Sequence, residues 1–168
     1  NEESRKATIS LFNSLPPQIL VVDDFDDETS IIADWINQQL SGGVPVSEIG
    51  VFVRSENELP RAKAAIIDAG QNAFKITDKF EENTSAISFG TMHLAKGLEF
   101  RSVAVMACDE DILPQQDRLE RVTDASDLAE VYETERHLLY VACTRAREHL
   151  LVTGISPGSE FIEDLEQT

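Results

Sequence analysis

The chain has 168 residues, 42% of them hydrophobic, which is enough for one hydrophobic core and too few for two domains of ordinary size. Its 31 acidic and 14 basic residues give a formal net charge of −17, so most of its surface should repel polyphosphate. Its apolar runs are strand-sized, far short of the roughly 20 residues that a bilayer requires, so we expect no membrane association. Any nucleic-acid role must therefore rest on a local patch or on a partner domain.

The first half of the chain alternates strand-like and helical patterns. Gln18–Val22 is a β-rich run, and in residues 27–40 the apolar side chains recur at helical spacing. Ile49–Val53 predicts a second strand. Residues 56–69 predict a second helix, which Gly70 ends.

The second half continues this alternation. The predicted elements are short strands at 73–76 and 86–89, a buried strand at 102–107, a helix at 127–147 and a last strand at 149–153. Between them, residues 109–127 are acidic and are predicted to be irregular. Strands separated by helices favour a mostly parallel sheet with helices on both faces, which is a three-layer α/β fold. We expect an N-terminal connecting segment at 1–17, one domain at 18–154 and a polar C-terminal tail at 155–168.

A polar turn follows the predicted strand at 86–89, with the sequence TMHLAKGLEF over residues 91–100. Open α/β sheets bind ligands at the carboxyl ends of their strands, and Gly97 allows close backbone approach. Lys96 and Glu99 place opposite charges near one another. From these residues alone, the segment is either a ligand site or a polar connection with a surface ion pair.

A second candidate is the helical run ERHLLYVACTRAR at residues 135–147. Arg145 and Arg147 fall near the predicted end of this helix, where the macrodipole favours cations. Arg145 could instead be an arginine finger, a cation placed for the charge that develops on a transferred γ-phosphate. The residues alone leave both interpretations open.

The chain contains no G-x-x-x-x-G-K-[ST] phosphate loop, so we expect it neither to bind ATP tightly nor to hydrolyse it alone. Asp109 and Glu110 resemble a Walker B acidic pair, but because the phosphate loop is missing we predict no such role for them. Cys108 and Cys143 lie in separate apolar segments without metal-type spacing. They are interpreted as buried free thiols of a reducing compartment, the cytoplasm.

Three segments together resemble the UvrD/Rep-type superfamily 1 DNA helicases. TMHLAKGLEF is similar to motif V of that family, ETERHLLYVACTRAR to motif VI, and IGVFVRSENEL to motif IV, in the order of the family. An apolar strand and an Ile-Leu-Pro element separate the first two, as is common in these helicases. The resemblance implies the second RecA-like motor domain, which has a P-loop NTPase-type fold without its own phosphate loop.

The resemblance also implies roles for individual residues. Arg54 and Arg145 would reach the γ-phosphate of an ATP held, with Mg²⁺, by the N-terminal RecA-like motor domain of the same parent chain. Glu99 would hydrogen-bond the ribose, and Gly97 would permit the close approach. The implied activity is that of an ATP-dependent 3′-to-5′ DNA helicase, of which this chain is one part.

The DNA-facing residues implied by the resemblance are Thr91 and His93, which would contact single-stranded DNA or relay between DNA and nucleotide. For His93, a satisfied polar histidine at a strand end is the alternative. Tyr140 and Thr144 would brace the motif VI helix.

Three features depart from the family pattern. Val53 stands where the family often has an aromatic residue that stacks on adenine, and His137 replaces a motif VI arginine. Only about 20 residues separate Gly70 from Thr91, so the usual accessory-domain insertion is missing. Two other functions stay open: a degenerate helicase-like scaffold in a repair or nuclease complex, and a stand-alone phosphate-binding α/β domain.

Overall fold

The computed structural model describes residues 16–79, 81–83 and 85–166, which form a sheet with helices on both faces. The strands are β1 (Gln18–Val22), β2 (Ile49–Val53), β3 (Ala73–Lys75), β4 (Ile87–Thr91), β5 (Phe100–Val105) and β6 (Ala146–Ile155). The helices are α1 (Phe25–Ser41), α2 (Leu59–Asp68), α3 (Gln116–Glu120), α4 (Ala125–Cys143) and α5 (Glu160–Glu166). Short 3-10 turns lie at Val46–Glu48, Glu56–Glu58 and Met92–Leu94.

The described strands form one six-stranded sheet in the order β1-β6-β5-β2-β4-β3, and every neighbouring pair is parallel. All five residues of β2, at the centre, are buried, as a strand covered on both faces requires. Helices α1 and α2 cover one face, and α4 and α5 cover the other. The predicted three-layer α/β fold is therefore confirmed.

The two long helices begin with the same local chemistry. The Asp24 carboxylate accepts a hydrogen bond from the Asp27 backbone N–H at 2.8 Å, and the Asp124 carboxylate accepts one from Asp127 at 2.8 Å. Such N-caps satisfy a backbone donor that has no partner within the helix. The caps fix where α1 and α4 start, and so which residues of each helix face the sheet.

The predicted helix at 127–147 is too long at its end. Helix α4 stops at Cys143, Arg145 lies in the following turn, and Arg147 lies on β6. The reason is tertiary: the Phe100 N–H donates to the Arg145 carbonyl at 2.9 Å, so the chain joins the sheet at this point. Arg147 is therefore not a helix-end cation, whereas Arg145, in the turn after α4, still donates to the Val141 carbonyl of the last helical turn at 3.0 Å.

The prediction of a polar tail at 155–168 is also wrong for most of that segment. Within 155–168, α5 buries Phe161, Ile162 and Leu165 against the face covered by α4. The segment at 109–127, predicted to be irregular, contains the short helix α3. Of the connecting segment predicted at 1–17, residues 1–15 lie outside the described part of the chain.

Both cysteines are buried free thiols, as predicted, and burial raises the pKa of Cys143 to about 12. No helix in the part of the chain that the structure describes combines the length and the apolar character needed to cross a membrane.

Gly154 on β6 is expected to tolerate no side chain. A Cβ there would lie 2.5 Å from the backbone oxygen of Cys108, an atom that cannot move without distorting the chain after β5. Gly154→Ala should lower the free energy of unfolding by about 1–3 kcal/mol, measured by urea denaturation. Gly42→Ala is the matched control, because its Cβ would meet its nearest atom at 3.4 Å and its φ is −80°. Equal stability of the two variants would contradict this account.

Candidate functional site

Two of the predicted site residues meet at the carboxyl edge of the sheet. Arg54 follows β2 and His93 follows β4, and these strands are neighbours, with Val53 paired to Thr91. The Arg54 Nη1 atom lies 3.2 Å from the His93 Nε2 atom. The parallel pairing of β2 and β4 therefore brings motifs IV and V into direct contact.

Arg54 is held in a buried ion pair with Glu135 of α4. Its Nε donates to Glu135 Oε1 at 2.9 Å and its Nη2 to Glu135 Oε2 at 2.6 Å, which is a bidentate arrangement. Nη2 also donates to the Gln115 side-chain oxygen at 3.0 Å. Arg54 is 3% exposed and Glu135 is 0% exposed, so water has almost no access to the pair.

Glu135 collects donors from three parts of the chain. Besides Arg54, it accepts the Gln115 backbone N–H at 2.5 Å and Arg118 Nη1 at 2.8 Å. Burial alone would raise the pKa of Glu135, but the hydrogen bonds from Arg54 and Gln115 outweigh it and lower the pKa below its ordinary value. Glu135 is therefore a carboxylate that joins motif IV, the loop after β5 and motif VI.

His93 is a neutral acceptor in this arrangement. Partial desolvation, and then the neighbouring Arg54 charge, lower the pKa of His93 below its ordinary value, although the residue lies at the surface. A neutral imidazole can accept the Arg54 N–H at Nε2, whereas a protonated one cannot. The contact between His93 and Arg54 thus depends on an uncharged histidine.

Arg145 occupies a different position, beside the amino end of β6. Its Nε donates to the Val141 carbonyl at 3.0 Å, its Nη1 to the Leu98 carbonyl at 3.3 Å, and its Nη2 to the Thr144 hydroxyl at 3.1 Å. Thr144 in turn donates to Val141 at 3.0 Å. Arg145 therefore joins the end of α4 to residues 92–99, the motif V turn.

The other predicted residues differ in exposure. Glu99 and Gly97 are exposed in the motif V turn, and Gly97 has a φ of +84°, which favours glycine. Thr91 is only 8% exposed, so it offers little surface to a ligand. Val53 is fully buried and offers no face to a base. Among the described residues, no ion pair joins Lys96 to Glu99, both of which are exposed. The alternative prediction of a polar connection therefore lacks only its ion pair.

The structure does not bring Arg54 and Arg145 to a single point. Arg54 is bonded to Glu135, and Arg145 to Val141, six residues further along α4. Six residues of an α-helix rise about 9 Å. Every guanidinium nitrogen of both arginines also has a partner within the domain, so a phosphate that contacts both groups would have to compete with these contacts.

The Arg54 region faces a cleft of about 710 Å³, called the basic cleft below. It is lined by the arginines Arg54, Arg118 and Arg136, by the histidines His93 and His137, and by the acidic Glu133. This is a local exception on a chain whose net charge is −17. A second cleft, of about 740 Å³, contains the motif V turn with Lys96 and Glu99, and His93 lines both clefts. The three arginines beside motifs IV and VI are thus each paired to a carboxylate of the domain.

Sequence reasoning missed a second buried charge network. Arg61 of α2 donates to Glu28 of α1 at 3.1 Å and to Asp109 at 2.8 Å. Asp109 also accepts the Ile155 backbone N–H at 2.7 Å, so this carboxylate serves the fold rather than a Walker B role. One signal was available: Glu28 shares a helix face with Ile32 and Ile36, and a charge on an apolar face requires a buried partner.

Comparison with known proteins places this geometry in a family. Residues 72–156, slightly more than half of the chain, match the UvrD-like helicase C-terminal domain. The chain belongs to this family. Membership confirms the predicted resemblance, and the short connection from β3 to β4 confirms that the accessory insertion is missing from this UvrD-like domain.

Individual relatives agree with the family match. An ATP-dependent DNA helicase PcrA of Leuconostoc citreum is 42% identical over 77 residues, which is 46% of this chain and 9% of the relative. A probable DNA helicase of Mycoplasma pneumoniae is 27% identical over 162 residues, 94% of this chain and 28% of the relative. The UvrD-like domain thus spans less than a third of the length of these relatives.

The fold of this UvrD-like domain also occurs in a solved structure, the C-terminal domain of a possible DNA helicase from Lactobacillus plantarum WCFS1. The TM-score is 0.65, the sequence identity is 18%, and the match covers 95% of this chain and 89% of the other. At this identity the likeness supports the fold alone.

Proposed function

We propose that this helicase C-terminal domain is the second motor domain of an ATP-dependent DNA translocase that moves 3′ to 5′. Its ATP site would be completed by an N-terminal RecA-like motor domain of the same parent chain, which would hold Mg²⁺. The single observation that carries the proposal is the basic cleft, in which Arg54 of motif IV contacts His93 of motif V. The buried free thiols fit a reducing compartment, the cytoplasm.

On the nucleotide side, Arg145 and Arg54 would supply the cations for the γ-phosphate. Phosphoryl transfer depends on positioning and on stabilising charge at the phosphoryl oxygens, which arginine does with a planar set of donors. Glu99 would accept a hydrogen bond from the ribose, and Gly97 would let the backbone approach. Because the phosphate loop is not in this chain, the domain alone is expected to be inactive.

On the DNA side, His93 would contact single-stranded DNA at the carboxyl edge of the sheet, and Thr91 would support that contact. His93 is surface-exposed and lines both clefts, so it can face a ligand while it contacts Arg54. Thr91 is paired to β2 and buried, so its contribution would come through the position of His93. DNA binding near His93 would therefore act directly on Arg54, which contacts His93 and would serve the nucleotide.

The test uses the full-length protein. ATP hydrolysis is measured with and without single-stranded DNA, and we expect DNA to stimulate it at least about tenfold, since binding of one ligand must be coupled to the other. Translocation is followed by displacement of streptavidin from oligonucleotides biotinylated at either end. Faster displacement from the 5′ end supports 3′-to-5′ movement.

One observation favours a second function, a degenerate helicase-like scaffold. The N–H groups of Arg54 donate to acceptors within the domain, on Glu135, Gln115 and His93, as those of a purely structural arginine would. A scaffold would bind DNA or a partner protein without hydrolysing ATP. Absence of ATP hydrolysis from well-folded full-length protein would reject the motor, and retained binding of DNA or a partner protein would then support the scaffold.

A further inference from the structure

We propose that Glu135 and Arg118 form a releasable latch on Arg54, acting as positioning residues that decide when this arginine can reach a phosphate. The proposal rests on the proposed function, in which Arg54 contacts the γ-phosphate. In the latched state, Glu135 holds Arg54 away from ligands. In the released state, Arg118 keeps Glu135 paired while Arg54 is absent.

The first step of the argument is that Arg54 cannot bind a phosphate where it lies. Its Nε and Nη2 groups donate to Glu135 and Gln115, and its Nη1 lies against His93. The residue is 3% exposed. A bidentate contact with a phosphate needs two adjacent N–H groups on one edge, and those edges are already occupied.

The second step concerns what Arg54 would leave behind. Glu135 is fully buried, and a buried carboxylate that loses its cation is strongly destabilised. Departure of Arg54 is therefore unfavourable unless another cation remains in contact with Glu135.

Arg118 meets that requirement. Its Nη1 lies 2.8 Å from Glu135 Oε2, the same oxygen that accepts from Arg54 Nη2. The Gln115 backbone N–H remains on Glu135 Oε1 at 2.5 Å. Two donors, one of them charged, would thus stay on Glu135 when Arg54 swings out.

There is also room for the movement. Arg54, His93, Gln115 and Arg118 all line the basic cleft of about 710 Å³. Arg118 has 33% of its side chain exposed, so it can adjust its position as Arg54 leaves. By this geometry, Arg118 is the cation that stays paired with Glu135 when Arg54 leaves, rather than a second structural contact.

The experiment is a double-mutant cycle in the full-length protein, with ATPase kinetics at saturating single-stranded DNA. Arg118→Ala should lower kcat about tenfold with little change in the KM for ATP, because Arg54 is retained more tightly. Glu135→Gln, which holds Arg54 without a full charge, should raise the DNA-independent rate several-fold. In the double variant, the Arg118→Ala defect should disappear, because a neutral glutamine needs no counter-cation. Arg121→Ala, an exposed arginine at the end of the same helix, is the control and should behave as wild type.

Other outcomes overturn the latch. Additive effects of the two substitutions would mean that Arg118 acts independently of Glu135. Weaker DNA binding by Arg118→Ala with unchanged kcat would make Arg118 a direct DNA contact. If the wild-type protein shows DNA-stimulated hydrolysis but the substitutions at 118 and 135 show no coupling, the latch alone is rejected. If the wild-type protein does not hydrolyse ATP, the motor and the latch are rejected together.

A second pair of variants keeps the latch testable if Glu135→Gln does not fold. Arg118→Lys preserves the counter-cation and should restore kcat to within about threefold of wild type, whereas Arg118→Gln should not. Equal kcat values for these two variants would contradict the exchange, because only the charge at residue 118 separates them.

Discussion

Replacing Arg145 by alanine in the full-length protein is expected to lower DNA-stimulated ATP hydrolysis by roughly 10³-fold, the low end of what an arginine finger supplies. The structure leaves the positive charge of this residue without a carboxylate partner among the described residues. Its three acceptors are the Val141 and Leu98 carbonyls and the Thr144 hydroxyl, and no carboxylate pairs with it among the described residues. Arg54, by contrast, is neutralised by Glu135.

The measurement is steady-state ATPase, with single-stranded DNA affinity followed in parallel by fluorescence anisotropy. DNA binding should be preserved, since Arg145 lies away from the carboxyl edge that holds His93. Arg147→Ala is the matched control: this exposed arginine pairs with Glu48 at 2.6 Å, and exposed ion pairs contribute little. Full ATPase activity in Arg145→Ala would reject the finger assignment.

Because Arg145 also joins α4 to the motif V turn, its replacement could lower activity by destabilising the domain. This effect must be distinguished from the loss of a catalytic contact. Thermal melts of the variant and wild type provide that separation. A variant that melts as wild type does and is inactive has lost a catalytic contact. A Tm lowered by many degrees, with activity recovered at low temperature, would instead make Arg145 a bracing residue.

The largest effect on stability is expected from Arg61→Ala. Arg61 is the cation between two carboxylates, Glu28 and Asp109, whose side chains are 1% and 11% exposed. Removing it leaves both acids in a poorly solvated site without a counter-charge, which typically costs about 3–5 kcal/mol. Urea denaturation should therefore show a much lower free energy of unfolding, with an unchanged m-value.

Lys63→Ala is the control for that experiment, because Lys63 lies on the same helix and is exposed. Its substitution should change stability by no more than about 0.5 kcal/mol. A loss below 1 kcal/mol for Arg61→Ala would mean that solvent reaches the network.

Much of the fold could be read from the pattern of apolar residues. β1 and β2 have the predicted bounds, because short apolar runs between turn residues have few other stable conformations. α1 was placed to within about two residues, since its cap and its terminal glycines act locally. The motif order was sufficient to predict the family, which the match over residues 72–156 confirms.

The errors lie where distant contacts outweigh local preference. The end of α4 was placed too late because only the pairing of Arg145 with Phe100 draws the chain into β6. The helix α5 was missed because its stability comes from burying Phe161 and Leu165 against another element. Neither contact leaves a periodic signal in the sequence.

The sequence by itself determined the α/β class, the core positions and the family, because these depend on the spacing of apolar side chains and on ordered motifs. The tertiary structure decided which charges are available. Arg54 and Arg145 read alike as candidate cations, yet one is buried against Glu135 and the other is held only by neutral acceptors. Burial and counter-charge arise from residues far apart in the chain, so the availability of an arginine is set by the fold.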